Sequence, residues 1–226
     1  MPAKDVLTLE QVQANLLQLP QWRYGMGALR TALKCESSAS ALALFSTIGA
    51  LAQEANHHPD VDWRYDTLFI TLTSHDAGSR VSARDAALAR SISAQAQNSG
   101  AVAKPELLRV VEIAIDTDDE DAISETWRTA LGYKRQKDGS LADPFGRGPA
   151  LWFQKTATPN ANRFHLDITV PHSESSPILS ELEATGAALD PEAAPRFVVA
   201  TDAQGNRLCL CTEEGREIDG SPVDGQ

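Results

Sequence analysis

Near residue 100 the pattern of this chain changes, and the change dictates two cores rather than one. Before it, the segments run helix, two strands, helix, two strands, helix. After it, a strand, a helix and further strands are followed by the same order again. The short polar stretch Asn98-Ser99-Gly100-Ala101 divides the two halves. Charge divides at the same place: residues 1–100 hold 8 Lys+Arg and 9 Asp+Glu, residues 101–226 hold 12 and 22, so the net −11 splits into −1 and −10. A chain of 226 residues that is 42% hydrophobic suits two domains, each with its own core. The expected organisation is α+β: a domain over 1–98, a linker over 99–106, a domain over 107–213 and a flexible tail over 214–226.

Local signals fill in the first half. Leu9, Val12, Leu16 and Leu17 recur at helical spacing after Thr8, which with Gln11 makes a capping box, and Pro20 ends that helix. Short strands are expected at Trp22-Arg23-Tyr24 and over 28–33, around Gly25 and Gly27. Residues 37–54 read as a helix rich in Ala and Leu with serine caps, broken at His57-His58-Pro59-Asp60; the residue before a proline avoids helical geometry, so His58 lies just past the end. Strands follow over 62–65 and 68–73, then a helix over 82–97 capped by Ser82. In the second half, strands are expected over 108–115, 150–154, 164–170, 196–201 and 207–212. Helices are expected over 118–131, ended by Gly132, and over 176–185, ended by Gly186, with a turn at 202–206.

Several function classes drop out. An acidic second half is the wrong sign for nucleic acid, whose phosphates need basic partners. No apolar run approaches the ~20 residues of a membrane helix. The start, Met1-Pro2-Ala3-Lys4-Asp5, lacks the basic-then-apolar layout of a secretory signal, so a cytoplasmic location is expected. Cys209 and Cys211 alternate within a strand and Cys35 stands alone; a C-x-C without a second pair reads as small buried residues.

Three of the five histidines fall at 57, 58 and 75. Alone, such a cluster is compatible with surface histidines near a turn. Metal binding fits it poorly, because adjacent histidines rarely face one ion and no Cys or carboxylate follows at zinc spacing. The longer constellation is more specific: His57-His58-Pro59, Tyr65, His75-Asp76-Ala77-Gly78 and Asp85. With Trp22, the helix before the paired histidines and the strand before His75, it resembles the pterin-4a-carbinolamine dehydratase family over roughly residues 5–98.

That resemblance implies a 4a-hydroxytetrahydropterin substrate. Its dehydration must expel a hydroxyl, a poor leaving group that needs an acid, and remove a ring N–H proton, which needs a base. Imidazole, with an ordinary pKa of about 6.5, serves either purpose near neutrality without a metal or other cofactor. The resemblance assigns acid and base work to His57 and His58, leaving open which does which, and lines the same pocket with His75. Asp85, Glu54, Pro59 and Asp76 are the expected substrate-side residues, with Asp85 orienting the site. Tyr65 and Pro59 also have a structural reading, as a packed aromatic and a turn. Two departures stand out. Gln53 occupies a place that is often acidic, with Glu54 one position on, and Ser79-Arg80 make the loop after His75 one residue longer.

In the second half, Val111-Glu112-Ile113-Ala114-Ile115, Trp127 to Tyr133, Asn162-Arg163-Phe164-His165-Leu166-Asp167 and Asp202 to Cys209 resemble glyoxalase-like members of the vicinal oxygen chelate superfamily. The fold implied is a paired βαβββ unit after an α-β-β-α-β-β-α dehydratase unit. Metal-binding members use one residue on each of four strands, and the matching places are Glu112, Gln154, His165 and Arg207. Arg207 carries a cation where a ligand is needed, so no metal is expected; Glu112 and His165 are the weak candidates. The leading expectation is a hydro-lyase acting on a small pterin, as a homo-oligomer. The alternatives are a non-catalytic binding or oligomerisation protein, or activity in the second domain.

Overall fold

A computed structural model describes residues 5–131, 133–157, 164–184, 186–201 and 207–214. The chain divides into two compact units, the first running to Leu108 and the second from Arg109. No helix among the described residues is long and apolar enough to cross a membrane.

The first unit runs α1 (Leu9–Leu16), β1 (Arg23–Gly25), β2 (Ala28–Lys34), α2 (Ser38–Ala55), β3 (Asp60–Arg64), β4 (Thr67–Leu72), a 3-10 turn (His75–Ala77), α3 (Ala83–Asn98) and β5 (Val102–Ala103). Local chemistry sets the helix starts. Thr8 with Gln11, Ser37 with Ser40, and Ser82 with Asp85 each form a reciprocal capping box. The sheet is antiparallel in the order β1-β2-β4-β3. Leu68, Ile70 and Leu72 of β4 are buried, while Phe69 and Thr71 between them are only partly so, as alternation predicts. Their buried row joins Leu29 and Leu33 of β2, Leu44 and Ile48 of α2, and Leu88 and Ile92 of α3 in one core, each side chain contributing about 1.5–3 kcal/mol by leaving water. Trp22 lies in the same core and its indole N–H donates to Ser93 Oγ (2.9 Å).

The segment read as a linker is not a free connection. Val102 and Ala103 pair with Lys34 and Leu33 on the edge of β2 that also carries β1, and Lys104 N–H donates to Ala32 O (2.8 Å). Tyr65 is likewise not the packed aromatic expected. It is 78% exposed, with φ 53° in the turn between β3 and β4. The turn conformation, not the ring, is what that position supplies.

The second unit repeats one motif. β6 (Val110–Thr117), α4 (Glu120–Leu131), β7 (Lys134–Arg135), β8 (Leu141–Ala142) and β9 (Ala150–Lys155) form the first βαβββ. β10 (Phe164–Thr169), α5 (His172–Ala184), β11 (Ala188–Asp190), β12 (Phe197–Thr201) and β13 (Arg207–Cys211) form the second. The sheet order, β11-β12-β13-β10-β6-β9-β8-β7, is symmetric about the antiparallel β10–β6 pair, with each of those strands parallel to the last strand of its own motif. Ile113, Ile115 and Phe153 pack with Ile123 and Trp127 of α4, and Trp127 meets Phe164 edge to face at 5.5 Å. The face away from α4 therefore carries the even-numbered residues of β6. α5 begins at His172, four residues before the expected start, because Glu213 accepts from the His172 N–H (2.8 Å) and satisfies an otherwise orphan donor. The expected helix end at Gly132, the turn at 202–206 and the tail beyond Glu214 lie outside the described residues.

Candidate active site

α2 ends where Asn56 adopts a left-handed conformation, φ 45°. His57 N–H then donates back to Ala52 O (3.1 Å), closing the helix end before Pro59 is reached. The reversal sends the His57 side chain inward, where it is 8% exposed, while His58 stays exposed.

Inside, His57 Nε2 lies 2.7 Å from Asp85 Oδ1. Asp85 is completely buried and both of its oxygens are engaged. Oδ2 accepts from Ser82 N–H (2.7 Å) and lies within hydrogen-bond reach of the hydroxyls of Ser82 (2.9 Å) and Ser74 (2.8 Å). One carboxylate thus caps α3 and orients the imidazole. With the Nε2–H donating to Asp85, the neutral ring carries its lone pair on Nδ1, the geometry of an oriented base. Asp85, expected on the substrate side and as the group that orients the site, is fully buried behind His57.

His75 opens the 3-10 turn directly after Ser74 and is exposed. The turn is bound to the same hub through the Ser74 hydroxyl, and Ser74 N–H donates to Arg80 O (3.0 Å) to close the loop. Two successive left-handed residues, Gly78 (φ 75°) and Ser79 (φ 56°), turn the loop between His75 and Arg80. Gly27 supports this loop from β2's side. Thr73 Oγ1 donates to its carbonyl (3.1 Å), and a Cβ on Gly27 would lie 2.6 Å from Ser79 O.

Asp76 faces solvent and pairs with Arg84, which also binds Asp5 (2.7 Å). The Arg84 hydrogen bond holds the Asp76 carboxyl below the ordinary carboxylate range, and the His57 ring adds a smaller effect of the same sign. Pro59 is half-buried; Gln53 and Glu54 are both exposed on the last turn of α2. His57, Asp85 and the base of the His75 turn are therefore one bonded cluster, with His58 adjoining it in the chain. The part that sequence reading missed is the serine pair, Ser74 and Ser82. The Ser82-x-x-Asp85 spacing was the available signal, since it predicts the capping box that fixes Asp85.

In the second unit, strand registers place all four expected metal positions on the face away from α4. Glu112 pairs with Asp167, His165 with Ala114, and Gln154 with Asp116. Arg207 precedes Cys209 by two on β13, where Cys209 pairs with Asp167. The four do not make a donor set, because Arg207 is a cation. A different group does converge there: one donor atom each from His165, Asp167 and Cys209 lies within 4.8 Å of the others. Asp116 Oδ1 is 3.7 Å from His165 Nδ1, Asp167 Oδ1 is 3.6 Å from Nε2, and Trp152 meets the imidazole edge-on at 6.0 Å. Burial, with Asp167 alongside, pushes the Cys209 thiol far above its ordinary pKa. Cys209 and Cys211 are buried free thiols, as read from the sequence.

A buried His57–Asp85 pair on a helix-covered antiparallel sheet, followed in the chain by a paired βαβββ unit, defines a two-part α+β protein. Residues 5–95 match the family model for pterin 4 alpha carbinolamine dehydratase and residues 112–211 that for a glyoxalase-like domain. The chain belongs to the pterin-4-alpha-carbinolamine dehydratase family through its first unit. A relative from Nocardia farcinica, provisionally named for that activity, is 36% identical over 88 residues, which is 39% of this chain and 92% of the relative. One from Thermomicrobium roseum, named the same way, is 39% identical over 80 residues, 35% of this chain and 85% of the relative. Among solved structures, a transcriptional coactivator/pterin dehydratase from Brucella melitensis aligns at 24% identity and TM-score 0.39, covering 41% of this chain and 99% of that one. A glyoxalase/bleomycin resistance protein/dioxygenase superfamily member from Vibrio splendidus aligns at 12% identity and TM-score 0.35, covering 47% and 100%.

Proposed function

We propose that the first unit dehydrates a 4a-hydroxytetrahydropterin, releasing water and a quinonoid dihydropterin. The observation that carries this reading is the buried His57–Asp85 pair, inside a stretch that covers 92% of a dehydratase relative. A surface histidine needs no fully buried carboxylate behind it. A proton-transfer group does, because its ring must be held in one tautomer and one orientation.

In this reading the substrate lies over the exposed His58 and His75 and reaches Nδ1 of His57. One histidine protonates the departing 4a-hydroxyl, and another takes the ring N–H proton. The proton taken and the proton given balance, so the reaction needs no external redox partner. Asp85 supplies orientation, and the pair formed by Asp76 and Arg84 lies at the rim. A homo-oligomer of the first unit accords with the family resemblance.

The test is the dehydration rate of a 4a-hydroxytetrahydropterin with the full chain and with residues 1–108 alone. Rates above buffer for both, lost in His57→Ala, support the reading. Wild-type protein no faster than buffer refutes it and leaves a binding or oligomerisation role for the first unit.

A further inference from the structure

We propose that the glyoxalase-like unit binds a zinc-class divalent cation through His165 Nε2, Asp167 Oδ1 and Cys209 Sγ. This stands apart from the dehydratase reading and concerns a donor set other than the four strand positions expected from the sequence.

The placement follows from register. β10 presents His165 and Asp167 to one face, two residues apart, and β13 runs parallel to it with Cys209 directly beside Asp167. Three donors of different kinds, an imidazole, a carboxylate and a thiol, then converge within 4.8 Å. Zinc bond lengths of about 2.0–2.1 Å to nitrogen or oxygen and 2.3 Å to sulfur set tetrahedral donor separations of roughly 3.3–3.6 Å. The separation of His165 Nε2 from Asp167 Oδ1, 3.6 Å, is already at that spacing.

The surroundings of His165 point the same way. A metal-bound imidazole is ordinarily held by a carboxylate at its other nitrogen. Asp116 Oδ1 stands 3.7 Å from Nδ1, on the side opposite Asp167, and the Trp152 ring abuts the imidazole plane edge-on. Nε2 is thereby turned toward Asp167, the neighbour of Cys209 across the strand pair. The cluster is closely confined: the His165 side chain is 18% exposed and that of Asp167 6%. Three protein donors leave one position of a tetrahedral ion for water or a small ligand. A mixed N, O, S set favours zinc over magnesium or calcium, which take oxygen ligands. The thiol must lose its proton as it ligates, and the cation itself drives that loss.

The experiment uses full-length protein stripped with chelator, dialysed and titrated with Co²⁺ as an optical probe, then with Zn²⁺ in competition. One equivalent of Co²⁺ should bind, with tetrahedral visible bands and a thiolate-to-cobalt charge-transfer band in the near ultraviolet, and Zn²⁺ should displace it. Cys209→Ser should abolish the charge-transfer band, and Cys211→Ser should keep it. Asp116→Asn should weaken Zn²⁺ binding by ~10–100-fold, as loss of an outer-sphere partner does. His165→Gln is the second variant should Cys209→Ser fail to fold, and it should likewise abolish stoichiometric binding. Wild-type protein that takes up no stoichiometric Co²⁺, or a charge-transfer band that survives Cys209→Ser, overturns the proposal.

Discussion

The carboxylate of Asp85 holds the imidazole of His57 from 28 positions along the chain, with 2.7 Å between Oδ1 and Nε2 and no exposed surface on the aspartate. Asp85→Asn preserves its shape but replaces one acceptor with a donor. The amide must then oppose either His57 Nε2–H or the donors of Ser82 and Ser74. The dehydration kcat should fall by ~10²-fold or more, the scale of a lost acid/base contribution. A changed pH profile of kcat, rather than a simple loss of folded protein, identifies positioning as the cause. The measurement is steady-state kinetics over pH alongside thermal unfolding.

The three histidines should separate by burial. His57→Ala removes the partner of a buried carboxylate and should cost about 1–3 kcal/mol of stability as well as activity. His58→Ala and His75→Ala change exposed side chains and should stay within about 0.5 kcal/mol of wild type while still slowing the reaction. Denaturant unfolding and the dehydratase assay on the same three variants check both halves. Equal stability losses for all three would contradict this division.

Gly27→Ala should disturb a loop it does not belong to. The residue has φ 70°, and its new Cβ would meet the carbonyl oxygen of Ser79 at 2.6 Å, a backbone atom that moves only with its loop. A cost of about 1–3 kcal/mol is expected from the strained conformation. Because that loop carries His75, KM for the pterin should rise in the folded fraction. An unchanged KM would show that the loop is not at the substrate.

Acid should loosen the second unit through Asp143. Its carboxyl is held below the ordinary range by backbone N–H groups, Phe145 first (2.9 Å), then Gly148 (3.0 Å) and Arg147 (3.1 Å). A depressed folded pKa means the stabilisation is fully present above the unfolded value of about 3.9 and is lost as pH falls through the folded value. Asp143→Asn should therefore melt below wild type at neutral pH, and the gap should close below about pH 4. Melting curves of the two proteins from neutral pH to pH 3 measure it.

Residues within a few positions of one another were the legible part. Thr8 with Gln11, Ser82 ahead of its helix, and the serines at the start of the 37–54 stretch announced three helix starts, because a cap acts over one turn. The alternation of Leu68, Ile70 and Leu72 against Phe69 and Thr71 announced a half-buried strand. Asn56 ended α2 without having been singled out, since a left-handed asparagine leaves a weaker mark than a proline. The full burial of Asp85 was hidden, because burial depends on what else packs there.

The sequence by itself determined the two units, the order of their longer elements and the pair of neighbouring histidines, all set by local propensity, periodicity and spacing; the short strands β5, β7, β8 and β11 were not legible. Only the tertiary structure decided which histidine is buried, and which carboxylate holds it. It also decided that Cys209, buried as expected, stands beside Asp167 and near His165. The physical reason is register: alternation says that His165 and Asp167 share a face of β10, but the strand that lies alongside, and the residue opposite, are fixed by hydrogen bonding between segments more than 40 residues apart. Chemistry that needs several side chains at one point is decided at that level.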